Sequence, residues 1–122
     1  MHADGSFDRL VGYNLISAEN GESTVELEVK EALRQRFGLL HGGAIATLAD
    51  YCMGTAFYSM GECTAVTAQM DINYISSVKE GKVTGYGRVK KPGNKLSFCE
   101  CEIKSSSGEL VATATGVYYR IS

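Results

Sequence analysis

Residues 41–61 of this 122-residue sequence, HGGAIATLADYCMGTAFYSMG, decide the fold. Apolar residues recur in this stretch at the spacing of one helical face, and they are Ile45, Leu48, Ala49, Cys52, Met53 and Ala56. The pattern predicts one long helix that Gly42 and Gly43 open and Gly61 ends, since a glycine commonly follows a helix C-terminus. Asp50 interrupts the apolar run, which is shorter than the roughly 18 to 20 residues of a membrane span. We therefore expect a soluble chain with no membrane partner.

Strand patterns flank this helix on both sides, with turn sequences between them. Before the helix the predicted strands are 13–18 and 22–30, joined by a hairpin turn at Asn20-Gly21. After the helix they are 63–78, 82–91, 95–105 and 109–121. Because the links are short, consecutive strands must be antiparallel, which predicts a β-meander. One helix and one sheet bury both apolar surfaces when the curved sheet wraps the helix, so we expect a single α+β domain over residues 1–122.

Composition narrows the classes of function. Twelve Lys and Arg against 14 Asp and Glu give a net charge of -2, so no positive field favours a nucleic-acid partner. The N-terminal segment lacks the apolar core of a signal peptide, which predicts a cytoplasmic protein. The four cysteines, Cys52, Cys63, Cys99 and Cys101, are then expected to be free thiols. The two histidines and these cysteines lack zinc-site spacing, so we expect no metal and no cofactor.

Asp50 is the least expected residue of the helix, because a mid-helix aspartate is a weak helix former and is costly to bury unpaired. The residues on its helical stripe are mostly small, and they are Gly43, Ala46, Thr47, Gly54 and Phe57. Two interpretations stay open. Asp50 faces solvent or caps a local backbone group, or it serves a pocket or a subunit interface that the small residues allow to approach.

His41, Gly42 and Gly43 form the second unusual feature. The first amides of a helix have no intrahelical acceptor and carry the positive end of the helix dipole. Because glycine has no Cβ, a bulky ligand can come close, and the Gly42 or Gly43 N–H would stabilise negative charge developing on a carbonyl oxygen. The alternative is a tight turn that needs glycine only for its backbone dihedral angles.

Gly42 and Asp50 are eight residues apart, which is about 12 Å along an α-helix. One chain cannot bring both groups to the same carbonyl. If they act together, Asp50 must come from a second chain that lies antiparallel beside the first. The spacing therefore predicts an obligate homodimer with two shared sites. We also expect such dimers to pair into a tetramer, but the sequence leaves the choice between dimer and tetramer open.

The segment HGGAIATLAD, preceded by Gln35 and followed by the strand AVTAQMDINYISSV, resembles the hotdog-fold thioesterases of the PaaI-like, 4-hydroxybenzoyl-CoA-thioesterase-related group. That family places an Asn or Gln seven residues before the helix-opening glycine and an acid eight residues after it, which here are Gln35 and Asp50. The resemblance covers nearly the whole chain. It implies a helix wrapped in an antiparallel sheet and active sites shared by two subunits.

The resemblance also implies hydrolysis of an aryl or medium-chain acyl-CoA and a role for each matching residue. The Gly42 N–H would polarise the thioester carbonyl, and Asp50 from the other subunit would attack that carbonyl or activate water. Gln35 would orient the water or the acyl group, and Thr67 would supply a hydroxyl near the acid. His41 would hold the loop by hydrogen bonds. Gly43 would lie against the substrate.

Four cations bracket the turn at 92–94, and they are Arg88, Lys90, Lys91 and Lys95. They would receive the phosphates of coenzyme A, unless they are an ordinary solvated hairpin tip. Arg34, Arg36 and Lys79 are competing candidates for the same contact.

Two rival functions stay open. A hotdog hydratase or dehydratase would need a catalytic histidine beside an acid, whereas His41 precedes the helix in the thioesterase pattern. A noncatalytic acyl-CoA-binding protein would use the same cleft without turnover.

Overall fold

The computed structural model of the chain describes residues 5–122. Its elements are α1 (Ser6–Val11), β1 (Asn14–Glu19), β2 (Glu22–Glu28), a 3₁₀ turn (Glu31–Leu33), α2 (Gly42–Tyr58), β3 (Ala65–Tyr74), β4 (Lys82–Lys91), β5 (Leu96–Ser105) and β6 (Leu110–Arg120). The strand pairs among these residues are antiparallel, and α2 packs on one face of the six-stranded sheet. The predicted α+β architecture, a sheet around one long helix, is confirmed.

The strand order corrects the predicted meander. The sheet runs β1-β2-β4-β5-β6-β3, so β3 pairs with β6 and not with β4, the strand that follows it in sequence. The reason is that β2 already occupies that edge of β4 from Lys82 to Arg88. The link 75–81 is therefore a crossover, held where the Leu40 N–H donates to the Val78 carbonyl at 2.8 Å. As a result β3 forms one edge of the sheet.

The apolar face of α2 is buried as predicted, and its residues are Ile45, Leu48, Ala49, Cys52, Met53 and Ala56. Gly87 lets the helix backbone rest directly on β4. A Cβ at Gly87 would lie 2.6 Å from the Cys52 carbonyl oxygen and 2.8 Å from Ser23 Oγ, closer than any side chain permits. Ser23 Oγ donates a 2.6 Å hydrogen bond to the same carbonyl. These contacts fix the height of α2 above the sheet.

The helix α2 ends at Tyr58, which corrects the predicted end at Gly61. Ser59 follows as the C-cap with helical backbone angles, and its Oγ accepts a 2.8 Å hydrogen bond from the Gly21 N–H. Gly21 belongs to the predicted Asn20-Gly21 hairpin turn, which is confirmed, since both residues have positive φ between β1 and β2. A serine hydroxyl tied to a neighbouring turn, rather than a glycine, therefore marks the end of the helix.

A bulge in β3 decides which of its side chains face α2. The register with β6 shifts between Thr67 and Gln69. Since side chains alternate along a strand, Thr67 and Met70 would otherwise point to opposite faces. The extra residue, Ala68, lets both face the helix: Met70 packs against the core, and the Thr67 hydroxyl reaches Asp50.

The structure bears on two further predictions. No helix within residues 5–122 is long and apolar enough to cross a membrane. The four cysteines are free thiols as predicted, and Cys52, Cys99 and Cys101 are buried. Burial raises the pKa of the Cys99 thiol to about 11, so this group stays protonated near neutral pH, where thiol nucleophiles need the thiolate form.

Candidate active site

At the N-terminus of α2, one backbone amide lacks an acceptor among the described residues. His41 is the N-cap, and its Nδ1 accepts a 2.7 Å hydrogen bond from the Gly43 N–H. The Ala44 and Ile45 amides donate to the His41 carbonyl at 2.9 and 3.1 Å. The Gly42 N–H has no acceptor within residues 5–122. Helix geometry alone left the Gly42 and Gly43 amides open as oxyanion donors, whereas the resemblance implied Gly42. The hydrogen bond to His41 occupies the Gly43 N–H and leaves the Gly42 N–H as the better candidate.

Gln35 lies in the loop that leads into this helix. Its side-chain oxygen accepts hydrogen bonds from the Phe37 and Leu39 amides at 2.6 and 3.3 Å, and its backbone N–H donates to the Leu39 carbonyl at 2.8 Å. The Gln35 side-chain oxygen therefore stabilises its own loop. Its Nε2 group has no acceptor in the described part of the chain and can donate to a ligand.

Asp50 is held by two hydroxyl groups from the sheet. Thr67 Oγ1 donates to Asp50 Oδ1 at 2.7 Å, and the Tyr118 hydroxyl lies 2.7 Å from the same oxygen and 2.8 Å from the Asp50 carbonyl. Oδ2 receives no hydrogen bond from any described residue. The sequence left two interpretations of Asp50 open. A carboxylate that simply faces solvent would not be fixed by hydrogen bonds from the sheet, so that part of the first interpretation does not fit the structure.

Tyr118 stays protonated and so remains a donor to Asp50. Its side chain is 4% exposed, and burial, together with the charge of Asp50 and the hydrogen bond to it, raises the pKa of its phenol. The ring stacks on Phe57 with centroids 5.9 Å apart, which fixes its position. Sequence reasoning missed Tyr118 as a functional residue.

A cavity of about 400 Å³ lies beside Asp50. Aromatic side chains supply much of its wall, and they are Phe7, Tyr13, Tyr51, Tyr58 and Tyr118. Tyr13 and Tyr51 stack with ring centroids 4.2 Å apart. A second cavity of about 390 Å³ includes His41 and Gly43 and shares Phe7 and Thr47 with the first. Together the two cavities follow α2 from its N-terminus to Asp50.

The structure thus brings the predicted site residues together in two groups rather than one. Gln35, His41 and Gly42 lie at the N-terminal end of α2, whereas Asp50 and Thr67 meet further along it. Because Gly42 and Asp50 belong to one regular helix, about 12 Å of helix rise separates them. Within a single chain, therefore, the Gly42 amide and the Asp50 carboxylate cannot reach the same carbonyl group.

The four predicted phosphate-binding cations do not line the Asp50 cavity. Arg88 forms an ion pair with Glu100 on β5, and Lys90 Nζ lies 3.9 Å from the same carboxylate. Arg88 lines instead a polar depression of about 740 Å³ formed across the strands of the sheet. Lys91 and Lys95 are exposed and pair with no acid among the described residues. A phosphate-binding role for this group stays a prediction, and Lys91 and Lys95 are its better candidates.

Arg34 is occupied by the loop. It donates to the Lys79 carbonyl through Nε and Nη2 at 3.3 and 3.2 Å and pairs with Glu31 at 3.3 Å. Arg36 lies over the Phe37 ring at 4.9 Å. Arg34 therefore joins the loop to the crossover that follows β3, which is a structural role.

Tyr74 makes another contact that the sequence did not predict. Its hydroxyl donates to the Gly42 carbonyl at 2.9 Å, and its ring lies 3.5 Å from where a Cβ of Gly42 would be. The signal for Tyr118 was present in β6: from Ala112 onward the buried positions are Ala112, Ala114, Gly116 and Tyr118, and only the last of these four is large. Such a step in size along one face marks where a side chain reaches the helix.

The chain resembles known proteins over most of its length. Residues 37–112, more than half of the chain, match the family described as Thioesterase superfamily. The 1,4-dihydroxy-2-naphthoyl-CoA hydrolase of Escherichia coli is 32% identical, over 86% of this chain and 81% of that protein. A conserved protein of Pseudomonas aeruginosa aligns with a TM-score of 0.93 and 33% identity, over 97% and 95% of the two chains. A "hypothetical thioesterase" of Streptococcus pneumoniae, solved with coenzyme A, aligns with a TM-score of 0.85 and 26% identity, over 89% and 85%.

Proposed function

The chain belongs to the thioesterase superfamily, and we propose that it hydrolyses aryl or medium-chain acyl-CoA thioesters to a carboxylic acid and free coenzyme A. The resemblance in sequence is thereby confirmed at the level of family, hotdog fold and enzyme class. The observation that carries the proposal is Asp50, which lies beside a cavity: two hydroxyls fix its Oδ1, while its Oδ2 receives no hydrogen bond from residues 5–122. The coenzyme A in the pneumococcal relative supports the choice of thioester.

The proposed reaction uses the N-terminal amide of α2 from one chain and Asp50, in the middle of α2, from the other chain. The thioester carbonyl oxygen accepts a hydrogen bond from the Gly42 N–H, where the positive end of the helix dipole stabilises the developing oxyanion. Asp50 either attacks the carbonyl carbon, with water then cleaving the resulting anhydride, or removes a proton from an attacking water. In both routes one water is consumed and the coenzyme A thiol leaves. The free Nε2 of Gln35 orients the water or the acyl group, and the reaction needs no metal or cofactor.

A homodimer supplies the missing half of each site. On the side away from β6, the edge strand β3 pairs with no other strand of the described residues, 5–122, and its Val66 and Tyr74 are 50% and 53% exposed. Such an edge is a template for pairing with a second strand. If two copies pair along β3, their α2 helices lie antiparallel, and Asp50 of one chain approaches Gly42 of the other. Assembly of such dimers into a tetramer, and a cytoplasmic location, stay predictions.

The function is tested by measuring thiol release from a panel of aryl-CoA and straight-chain acyl-CoA thioesters. We expect turnover of at least one class, because the aromatic cavity beside Asp50 offers about 400 Å³ to an acyl group. Enoyl-CoA is included to detect hydration. Tight binding of all these compounds without thiol release would instead favour a noncatalytic acyl-CoA-binding protein, and hydration without thiol release would favour the hydratase.

Replacing Gly42 with Pro removes the proposed oxyanion donor and little else. Gly42 is the first residue of the helix, where proline is well tolerated, and His41 has φ -65° and ψ 138°, which suit a residue before proline. We expect kcat to fall by about 10²- to 10³-fold, the usual effect of losing one oxyanion donor. Steady-state kinetics on the best substrate of the panel measures this fall.

The matched control is Gly42→Ala, which keeps the N–H and adds a Cβ in ordinary contact with the Tyr74 ring at 3.5 Å. Gly42→Ala should lose much less activity than Gly42→Pro. Equal kcat values for the two variants would contradict the role of the Gly42 amide, because they differ chiefly in that N–H group.

A further inference from the structure

We propose that Tyr118 is a positioning residue for the reaction: with Thr67 it holds Asp50 Oδ1, so that Oδ2 is the oxygen that reacts. This inference rests on the proposed function, since it assigns a role at the same site. It adds a residue of the last strand, β6, to a site otherwise built from the loop before α2, α2 itself and β3.

The first step concerns the single hydroxyl proton of Tyr118. Its oxygen lies within hydrogen-bond distance of both the Asp50 carbonyl, at 2.8 Å, and Asp50 Oδ1, at 2.7 Å. The proton is donated preferentially to the carboxylate, because hydrogen bonds to an ionised acceptor are stronger than those to a neutral carbonyl. Since the pKa of the Tyr118 phenol is raised by burial, the proton stays on Tyr118 at neutral pH and the contact persists.

The second step concerns rotation of the carboxylate. The terminal torsion of an aspartate side chain is broad and roughly two-fold, so an unrestrained carboxylate presents either oxygen. Thr67 and Tyr118 place both hydroxyls on the same oxygen, Oδ1. Two donors on one oxygen fix that torsion and leave the lone pairs of Oδ2 for the carbonyl carbon or a water.

The third step concerns how firmly the two donors are themselves held. Thr67 and Tyr118 face each other directly across the β3 and β6 pairing, and the β3 bulge keeps Thr67 on the helix side. The Tyr118 ring is 4% exposed and stacked on Phe57. Both hydroxyls therefore belong to one cross-strand pair of the sheet rather than to loops, and the buried Tyr118 is the more firmly held of the two donors.

The test is Tyr118→Phe, which removes the hydroxyl and keeps the ring that lines the cavity. We expect kcat to fall about 10- to 100-fold, because one hydrogen bond to a charged group is lost, with KM within about two-fold, because the cavity wall is unchanged. The matched control is Tyr119→Phe, the neighbouring tyrosine, which is 39% exposed and does not line the Asp50 cavity. It should keep wild-type kcat and KM.

A double-mutant cycle with Thr67→Val provides a second readout. When either donor is removed, the other still holds Oδ1, so the double variant should lose more activity than the product of the two single losses. Unfolding midpoints of all variants are measured alongside. Three results for Tyr118→Phe would overturn the inference. They are a wild-type kcat, equal changes in kcat and KM, or an activity loss that simply multiplies with the loss of Thr67→Val.

Failure of this inference is distinguishable from failure of the proposed function. If Asp50→Asn keeps its activity, the proposed role of Asp50 fails, and the role of Tyr118 fails with it. If Asp50→Asn is inactive while Tyr118→Phe keeps wild-type kcat, Asp50 remains the reacting group and only the positioning role of Tyr118 is rejected.

Discussion

Asp50→Asn is expected to lower kcat by at least about 10³-fold, the scale of removing a nucleophile or general base. Asparagine has nearly the same size as aspartate and keeps an oxygen that accepts from Thr67 and Tyr118 at the position of Oδ1. Its amide cannot attack a thioester or take a proton from water. The variant should therefore fold and bind acyl-CoA while turnover is lost, as measured by thiol release and by equilibrium binding of the same compound.

The control for Asp50→Asn is Glu109→Gln, the same loss of a carboxylate at an exposed acid in the turn between β5 and β6. Glu109 does not line the cavity beside Asp50 and lies outside the proposed dimer edge, so Glu109→Gln should keep wild-type kinetics. Substantial hydrolysis by a folded Asp50→Asn protein would remove Asp50 from the mechanism.

The second large effect is recovery of activity in a mixed dimer. Chains carrying Gly42→Pro and chains carrying Asp50→Asn are each nearly inactive alone. In a heterodimer with shared sites, one site holds both defects and the other holds none. A doubly tagged, purified heterodimer should therefore show about half of the wild-type activity, since a two-fold dimer has two equivalent sites.

The mixed dimer separates shared sites from sites within one chain. If each chain completed its own site, both sites of the heterodimer would carry one defect, and its activity would stay as low as that of the parents. The parent homodimers and a doubly tagged wild-type dimer are the controls. This comparison tests the subunit arrangement directly, because it depends on which chain contributes each group.

The long helix and most strands were predictable because their signals are local. The apolar face of α2 follows from residues three and four apart, and alternation fixes the strands β4, β5 and β6 to within a residue or so. The eight-residue spacing of Gly42 and Asp50 needs only the rise of a helix. The fold keeps these patterns, because burying one face of a helix requires the helical spacing of apolar residues and burying one face of a strand requires their alternation.

The features that sequence reasoning missed depend on contacts between distant segments. The place of β3 beside β6 follows from β2 occupying the edge of β4, which no pattern within β3 reveals. The end of α2 at Tyr58 depends on a hydrogen bond from the Gly21 N–H to Ser59 Oγ across the fold. Tyr118 lies 68 positions from Asp50 in sequence, so its role follows only from the strand register.

The strand β3 touches both halves of the site, through Thr67 to Asp50 and through Tyr74 to Gly42. It also forms one of the two edges of the sheet. A substitution on β3 can therefore affect catalysis, folding and dimer assembly together, so we expect this strand to tolerate few substitutions. The short helix α1 is different: its Phe7 and Leu10 are 59% and 76% exposed, yet they line cavities along α2. We therefore expect related enzymes that accept different acyl groups to differ in α1, because substitutions there do not disturb the sheet.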